Sequence, residues 1–165
     1  MKRWILVVLI ALALATVVIV GLTQIRLDAI QEPGRIETFL ATLVKHLLVC
    51  RDSRKGIPPA PRNLQASIEE GDKVYATDCS MCHGSDGRTP TDSGRWMYPR
   101  AADLTSPEVQ QYRDRELFWI VKNGIRLSGM PAFGRVESDE HIWNLAHYVR
   151  TLRGGARPDS GGTAH

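Results

Sequence analysis

The 165-residue chain has no run of alternating apolar and polar residues that reads as a convincing strand, and no internal repeat. A sheet-built domain is therefore excluded, and the expected class is all-α. Charge of one sign is also missing. The 21 Lys and Arg against 18 Asp and Glu leave a formal net charge of only +3, with the signs mixed along the chain. Nothing in that balance points to nucleic acid or to a strongly acidic substrate. Cysteine is scarce: the three present are one pair two residues apart and one odd member. That arithmetic is poor for a disulfide framework and better for a cofactor or redox site. Nor is there length for two independent cores; one modest domain plus a targeting or anchoring segment fills the chain.

What is present begins with an apolar run. Trp4 to Ile25 is 22 residues without a charge, enough at ~1.5 Å per residue to cross a ~30 Å hydrocarbon layer. The expected element is an N-terminal transmembrane anchor over residues 1–25. A cleaved signal peptide is the competing reading, because Ala13-Leu14-Ala15 loosely matches a small-residue cleavage site. The apolar run continues well past that site, which favours the anchor. Lys2 and Arg3 favour a cytoplasmic start and place the body on the outer, periplasmic side of a cell inner membrane, although Arg26 and Arg35 on the far side weaken the bias.

Residues 26–63 are expected to hold an amphipathic helix and a Pro-rich linker. Ile36, Phe39, Leu40, Leu43, Val44, Leu47 and Leu48 fall on one helical face. That stripe fits a membrane surface, the following domain or another subunit, and the residues do not choose among them. Cys50 ends the helix and reads as a buried or idle thiol. Ser53 to Asn63, with Pro58, Pro59 and Pro61, reads as an extended linker. The globular domain spans residues 64–153, and the polar, Gly-rich residues 154–165 read as a disordered tail. Within the domain, helices are expected at Ser67 to Cys79, Pro107 to Tyr112, Asp114 to Asn123 and Ser138 to Leu152, with a long irregular stretch from Gly84 to Ser106. So loop-rich a domain buries little apolar surface of its own. Something else should fill its core.

Cys79-Ser80-Met81-Cys82-His83 supplies a candidate for that filler. Two thiols one helical turn apart suit thioether bonds to the two vinyl groups of a haem, and the adjacent His can reach the iron from the same side. The rivals are a dithiol redox motif and half of a zinc site. The first would need a βαβ context, and the second a further ligand pair that Cys50 and the scattered His residues do not make. Met130 is the candidate sixth iron ligand, lying between Gly129, which permits close backbone approach, and Pro131, which stiffens the loop. A Met is more commonly core filler, and His141 and His147 are rival ligands whose helical positions suit surface or packing roles. Arg95, Arg100 and Arg126 are candidate partners for haem propionates, though an Arg in a polar loop is more often simply solvated. Trp96, Tyr98, Trp119 and Trp143 read as core or haem-wall aromatics.

With these residues in place, residues 64–153 resemble a class I cytochrome c along the whole domain. The family's first helix carries a glycine eight residues before the first cysteine and an aromatic four before it, where Gly71 and Tyr75 stand. Leu145 and Tyr148 match the Leu-x-x-Tyr of its last helix, which crosses the first near that glycine. One departure is Ala102-Asp103-Leu104, where the family has Pro-Asn-Leu or Pro-Asp-Leu; Ala102 can still offer its carbonyl to orient His83, less rigidly. The resemblance implies one covalent haem c at Cys79 and Cys82, iron held by His83 and Met130, and outer-sphere electron transfer to redox protein partners in a respiratory or photosynthetic chain. The chain is then a carrier and not an enzyme. Two alternatives stand beside it: a fixed subunit of a larger membrane oxidoreductase complex, and a ligand-binding or peroxidase-type haem protein in which Met130 dissociates.

Overall fold

The structure, a computed structural model, describes residues 2–23 and 33–153. The tail expected at residues 154–165 and the last residues of the expected anchor lie outside them. The chain divides into two compact units, residues 1–31 and residues 32–165. No strand occurs among the described residues.

Among the described residues the first unit holds one helix, α1 (Lys2–Thr23). Its stretch Arg3–Gly21 is 19 residues, long and apolar enough to cross a membrane. The hydroxyl of Thr16 donates to the Leu12 carbonyl at 2.8 Å, and such back-bonding satisfies a polar group inside an apolar helix.

The second unit starts with α2 (Arg35–Asp52) and continues through α3 (Leu64–Asp78), α4 (Ser80–His83), α5 (Asp92–Trp96), α6 (Pro107–Gln110), α7 (Asp114–Asn123), a 3-10 turn (Phe133–Arg135) and α8 (Asp139–Thr151). Local chemistry sets several of these boundaries. The Asn63 side chain accepts from the Ala66 amide to open α3, and the Ser138 hydroxyl accepts from the His141 amide to open α8. Glu116 reaches back to the Arg113 amide at 2.8 Å to start α7. Gly124, at φ +68°, ends α7 in a conformation that disfavours a side chain.

The core is organised around α8, whose residues from Ile142 to Val149 are all buried. On one side Ile142, Trp143, Ala146 and Val149 pack with Leu117 and Phe118 of α7, Tyr112, and Val49 of α2. On the other, Leu145, Tyr148 and Leu152 pack with Val74 and Tyr75 of α3. Asn144 and His147 within this buried run both meet Ser67 of α3. Ser67 donates to Asn144 Oδ1 at 2.5 Å, so the 2.8 Å contact between His147 Nδ1 and Ser67 Oγ has the imidazole as donor.

The α3–α8 crossing runs over Gly71, as the resemblance implied. A Cβ there would fall on the Asn144 carbonyl and 2.8 Å from Tyr148 Cβ. Both neighbours belong to the helix that anchors the core, so neither can move alone. Gly71→Ala should therefore cost about 3 kcal/mol, as overpacking does in a dense interior, read as a lower midpoint of urea unfolding at unchanged slope.

Helix α2 does not use its apolar stripe against the body. Its contacts come from another face: Lys45 pairs with Glu108 at 3.0 Å, His46 stacks on Tyr112 with centroids 4.2 Å apart, and Val49 enters the core. Beyond the helix, Ser53 is buried with its carbonyl accepting from Arg115, and the Pro58 carbonyl accepts from Trp143 Nε1 at 3.1 Å. The stretch from Lys45 to Pro58 thus packs on the cytochrome-like body. The stripe from Ile36 to Leu48 stays exposed, between 43% and 77%.

Candidate functional site

The segment from Cys79 to Gly84 is held in a helical turn. Cys79 closes α3 and opens α4, and the amides of Cys82 and His83 both bond to the Cys79 carbonyl, at 3.1 and 3.0 Å. Cys79 and Cys82 are therefore one turn apart on a fixed backbone. Neither is in a disulfide. Burial, with the charge of Asp78 second, pushes the Cys79 thiol up to about 12. Burial that raises a thiol in this way is unlike the surroundings of the low-pKa cysteines of dithiol redox sites.

His83 is set by the loop that follows. Its Nδ1 lies 2.9 Å from the Ala102 carbonyl oxygen. A carbonyl can only accept, so Nδ1 carries the proton. Burial lowers the His83 pKa below its ordinary value, and the Ala102 bond opposes that more weakly. Burial thus favours the neutral ring, whose Nε2 lone pair is left available to a metal. Alanine in the family's proline position still supplies the orienting carbonyl.

Three further contacts immobilise the motif. The Tyr75 hydroxyl donates to the Gly84 carbonyl at 2.7 Å. Thr91 donates its amide to the Cys82 carbonyl at 3.2 Å and its hydroxyl to the Met81 carbonyl. Gly94 of α5 lies against Cys82, and a Cβ there would fall on the Cys82 carbonyl and 3.0 Å from Ala101 Cβ. Thr91 and Gly94 were not anticipated from sequence. Thr91 caps α5 by accepting from the Gly94 amide at 3.3 Å, and a Thr-Asp pair in a loop is a recognisable helix start. Tyr75→Phe keeps the ring packing but leaves the Gly84 carbonyl without this donor. It should cost about 1–2 kcal/mol, read in the thermal midpoint.

Met130 sits half-buried in the loop after α7. Its carbonyl accepts from Ile125 at 3.4 Å, its amide donates to Ser128 Oγ at 3.2 Å, and Ser128 Oγ donates to the Ile125 carbonyl at 2.8 Å. The loop conformation is thus held by backbone and Ser128, independently of the Met130 thioether. Gly129 packs so closely on Met97 that a Cβ would clash with its side chain. Through Met97, α5 and Gly94, the Met130 loop is linked to the Cys82 turn.

The remaining candidates lie apart from these loops or have other partners. His141 contacts Glu137 at 2.6 Å, and His147 belongs to the α3–α8 crossing. Arg95 donates to the Pro90 carbonyl at 3.0 Å, and Arg126 is exposed. Trp143 is core and Trp119 half-buried against it, whereas Trp96 is 80% exposed and takes no part in the core. Tyr98 donates to Glu37 of α2 at 2.8 Å. Cys50 is half-buried, with Arg54 Nη2 4.0 Å from its Sγ.

The donor set and the loops fit a covalently bound haem. Between Ser80 and Ser106 the buried positions are Gly84, Gly87 and Gly94, and between Asn123 and His141 the buried position is Gly124. These segments fully bury no apolar side chain, Leu104 being half-buried against the core, while Met81, Trp96 and Leu127 stand exposed. A large flat apolar group with two thioether attachment points supplies the missing packing surface.

Comparison with known proteins agrees. The family described as cytochrome c oxidase, cbb3-type, subunit III matches residues 66–149. A solved chain of the reducing HAO-like protein complex Kustc0457/Kustc0458 of Kuenenia stuttgartiensis is similar in fold, with a TM-score of 0.55 and 24% identity over 60% of this chain. This chain spans about half of that neighbour, 49% of its length. The c-type cytochrome KustC0563 shares 28% identity over 50% of this chain and 96% of its own, with a TM-score of 0.45. With its family match covering half the sequence around a turn of two thiols and an oriented imidazole, the chain belongs to the cbb3-type subunit III family and is a class I c-type cytochrome, a haem-c-binding domain for electron transfer.

Proposed function

We propose that the protein is a membrane-anchored, single-haem electron carrier, with the haem attached at Cys79 and Cys82 and the iron held between His83 and Met130. The observation that carries this reading is the tautomer of His83, fixed by Ala102 beside two thiols one turn apart. The haem supplies the one-electron redox couple. The chain's own residues do the rest. The Ala102 carbonyl aims the imidazole and raises its basicity, Thr91, Tyr75 and Gly94 keep the attachment turn rigid, and Ser128 holds the Met130 loop in place. With His83 and Met130 both holding the iron, the protein would leave no open place for a substrate, and electrons would pass to and from redox protein partners without bond making. A Met130 thioether together with the His83 imidazole would favour the reduced state and a higher potential than two imidazoles would. That suits a respiratory or photosynthetic chain.

Helix α1 is the membrane anchor in this reading, single-pass in the cell inner membrane with the haem domain on the periplasmic side. Nothing in the charge balance calls for nucleic acid. The oxidised protein should show the weak far-red absorption band of iron–methionine bonding; a spectrum without it would remove Met130 from the account. The family's description as an oxidase subunit supports a second reading, a fixed subunit of a larger membrane complex. Gentle detergent extraction separates the two, since a carrier emerges as a monomer and a subunit emerges with its complex.

A further inference from the structure

We propose that the exposed face of α2 lies in the headgroup boundary of a lipid bilayer, so that the cytochrome body is seated on the membrane through this helix and not merely tethered to it. The inference rests on the reading of α1 as the anchor.

The face cannot turn inward. Lys45, His46 and Val49 hold the other side of α2 to the body, through Glu108, Tyr112 and the core respectively, and Glu37 in the first turn accepts from Tyr98. Rolling the helix to bury its stripe would give up all four contacts. What remains outside is contiguous: Ile36 is 77% exposed, Phe39 65%, Leu43 45% and Leu47 63%. Soluble monomers rarely leave so continuous an apolar face in water.

Three observations select lipid as the occupant. The first is reach. Arg35 opens α2 twelve residues after Thr23 closes α1, and at about 3.5 Å per residue the two points cannot lie more than about 42 Å apart. A helix so tethered to a membrane span meets the bilayer surface at high effective concentration. The second is charge. Arg35 starts the helix and Arg54 and Lys55 follow its end, whereas the acids Glu37 and Asp52 are engaged by Tyr98 and Arg51. Apolar residues flanked by a basic excess suit the boundary of an anionic membrane. The third is composition. The stripe is aliphatic with one Phe and carries none of the Trp, Tyr and Arg that dominate protein interfaces. Seating α2 on lipid also orients the site, because Tyr98 ties the first turn of α2 to the loop in which Met97 packs on Gly129.

The test uses the haem-loaded full chain, in a Cys50→Ser background, reconstituted in vesicles of phosphatidylcholine and phosphatidylglycerol. Nitroxide labels at Leu12→Cys, Leu43→Cys, Leu47→Cys and Ala66→Cys are read by electron paramagnetic resonance for collision with oxygen, which concentrates in lipid, and with a water-soluble nickel chelate. The expected result is that Leu43 and Leu47 shift to the oxygen-accessible, nickel-shielded pattern of Leu12, while Ala66 on α3 shows the reverse. Nickel access at Leu43 and Leu47 equal to that at Ala66 overturns the inference and leaves the anchor standing. Shielding from both reagents also overturns it, since the face is then covered by a second copy of the chain. Nickel access at Leu12 sinks the anchor reading alone; labels in lipid at Leu43 would then make α2 the membrane contact in its own right.

Discussion

Replacing both Cys79 and Cys82 by serine should leave the mature polypeptide without the added mass of a haem and with most of its stability gone. The first effect is covalent, because serine oxygens do not form the thioethers, while Cys50→Ser should leave the haem mass in place. The second follows from packing. The two core clusters draw on α2, α3, α7, α8 and Tyr112, and the loops on the site side bury only glycines. Removing the tether lets the group that covers those loops dissociate, so its contribution falls to whatever mass action supplies. A domain of this size has roughly 5–15 kcal/mol in total, and losing the packing of two long loops should consume most of it. Mass spectrometry and urea unfolding of the same preparation check both effects. Retention of haem mass in the double variant would end the assignment of the attachment site.

Met130→Ala should lower the reduction potential by a few hundred millivolts, within the ~0.8 V range that axial ligands command, while leaving the haem attached. The thioether is a soft ligand that favours ferrous iron, and alanine replaces it with nothing. The loop should survive, because its bonds run through the Met130 amide and carbonyl to Ser128 and Ile125. The change is then confined to one coordination position. The reduced variant should bind carbon monoxide rapidly, where the parent binds it slowly. An unchanged potential would mean that another side chain holds the iron, and rapid binding by the parent would favour the ligand-binding reading of the site.

Much of this architecture is legible along the chain. The expected helix at Asp114 to Asn123 coincides with α7, since Gly124 stops it and acidic residues open it. Helix α3 begins three residues earlier than expected, at Leu64, because Asn63 caps it. The expected helix α8 agrees within a residue at each end. Helix α5 and the 3-10 turn at Phe133–Arg135 were missed. Each is too short to show a hydrophobic period, and both lie among glycines and prolines that read as loop.

The stripe of α2 is the instructive case. Its apolar residues declare one helical face, but the body is gripped by the other, through an ion pair, a stacked imidazole and one valine. Hydropathy ranks faces by their aversion to water; it does not say which neighbour will cover them. The cysteine spacing, the methionine between glycine and proline, and the glycine at the helix crossing are local chemical requirements, and such requirements are written in consecutive residues. Which nitrogen of His83 keeps its proton, which carbonyl fixes it, and which side of α2 stays uncovered depend on groups distant in the chain meeting in space, and only the tertiary structure decided them.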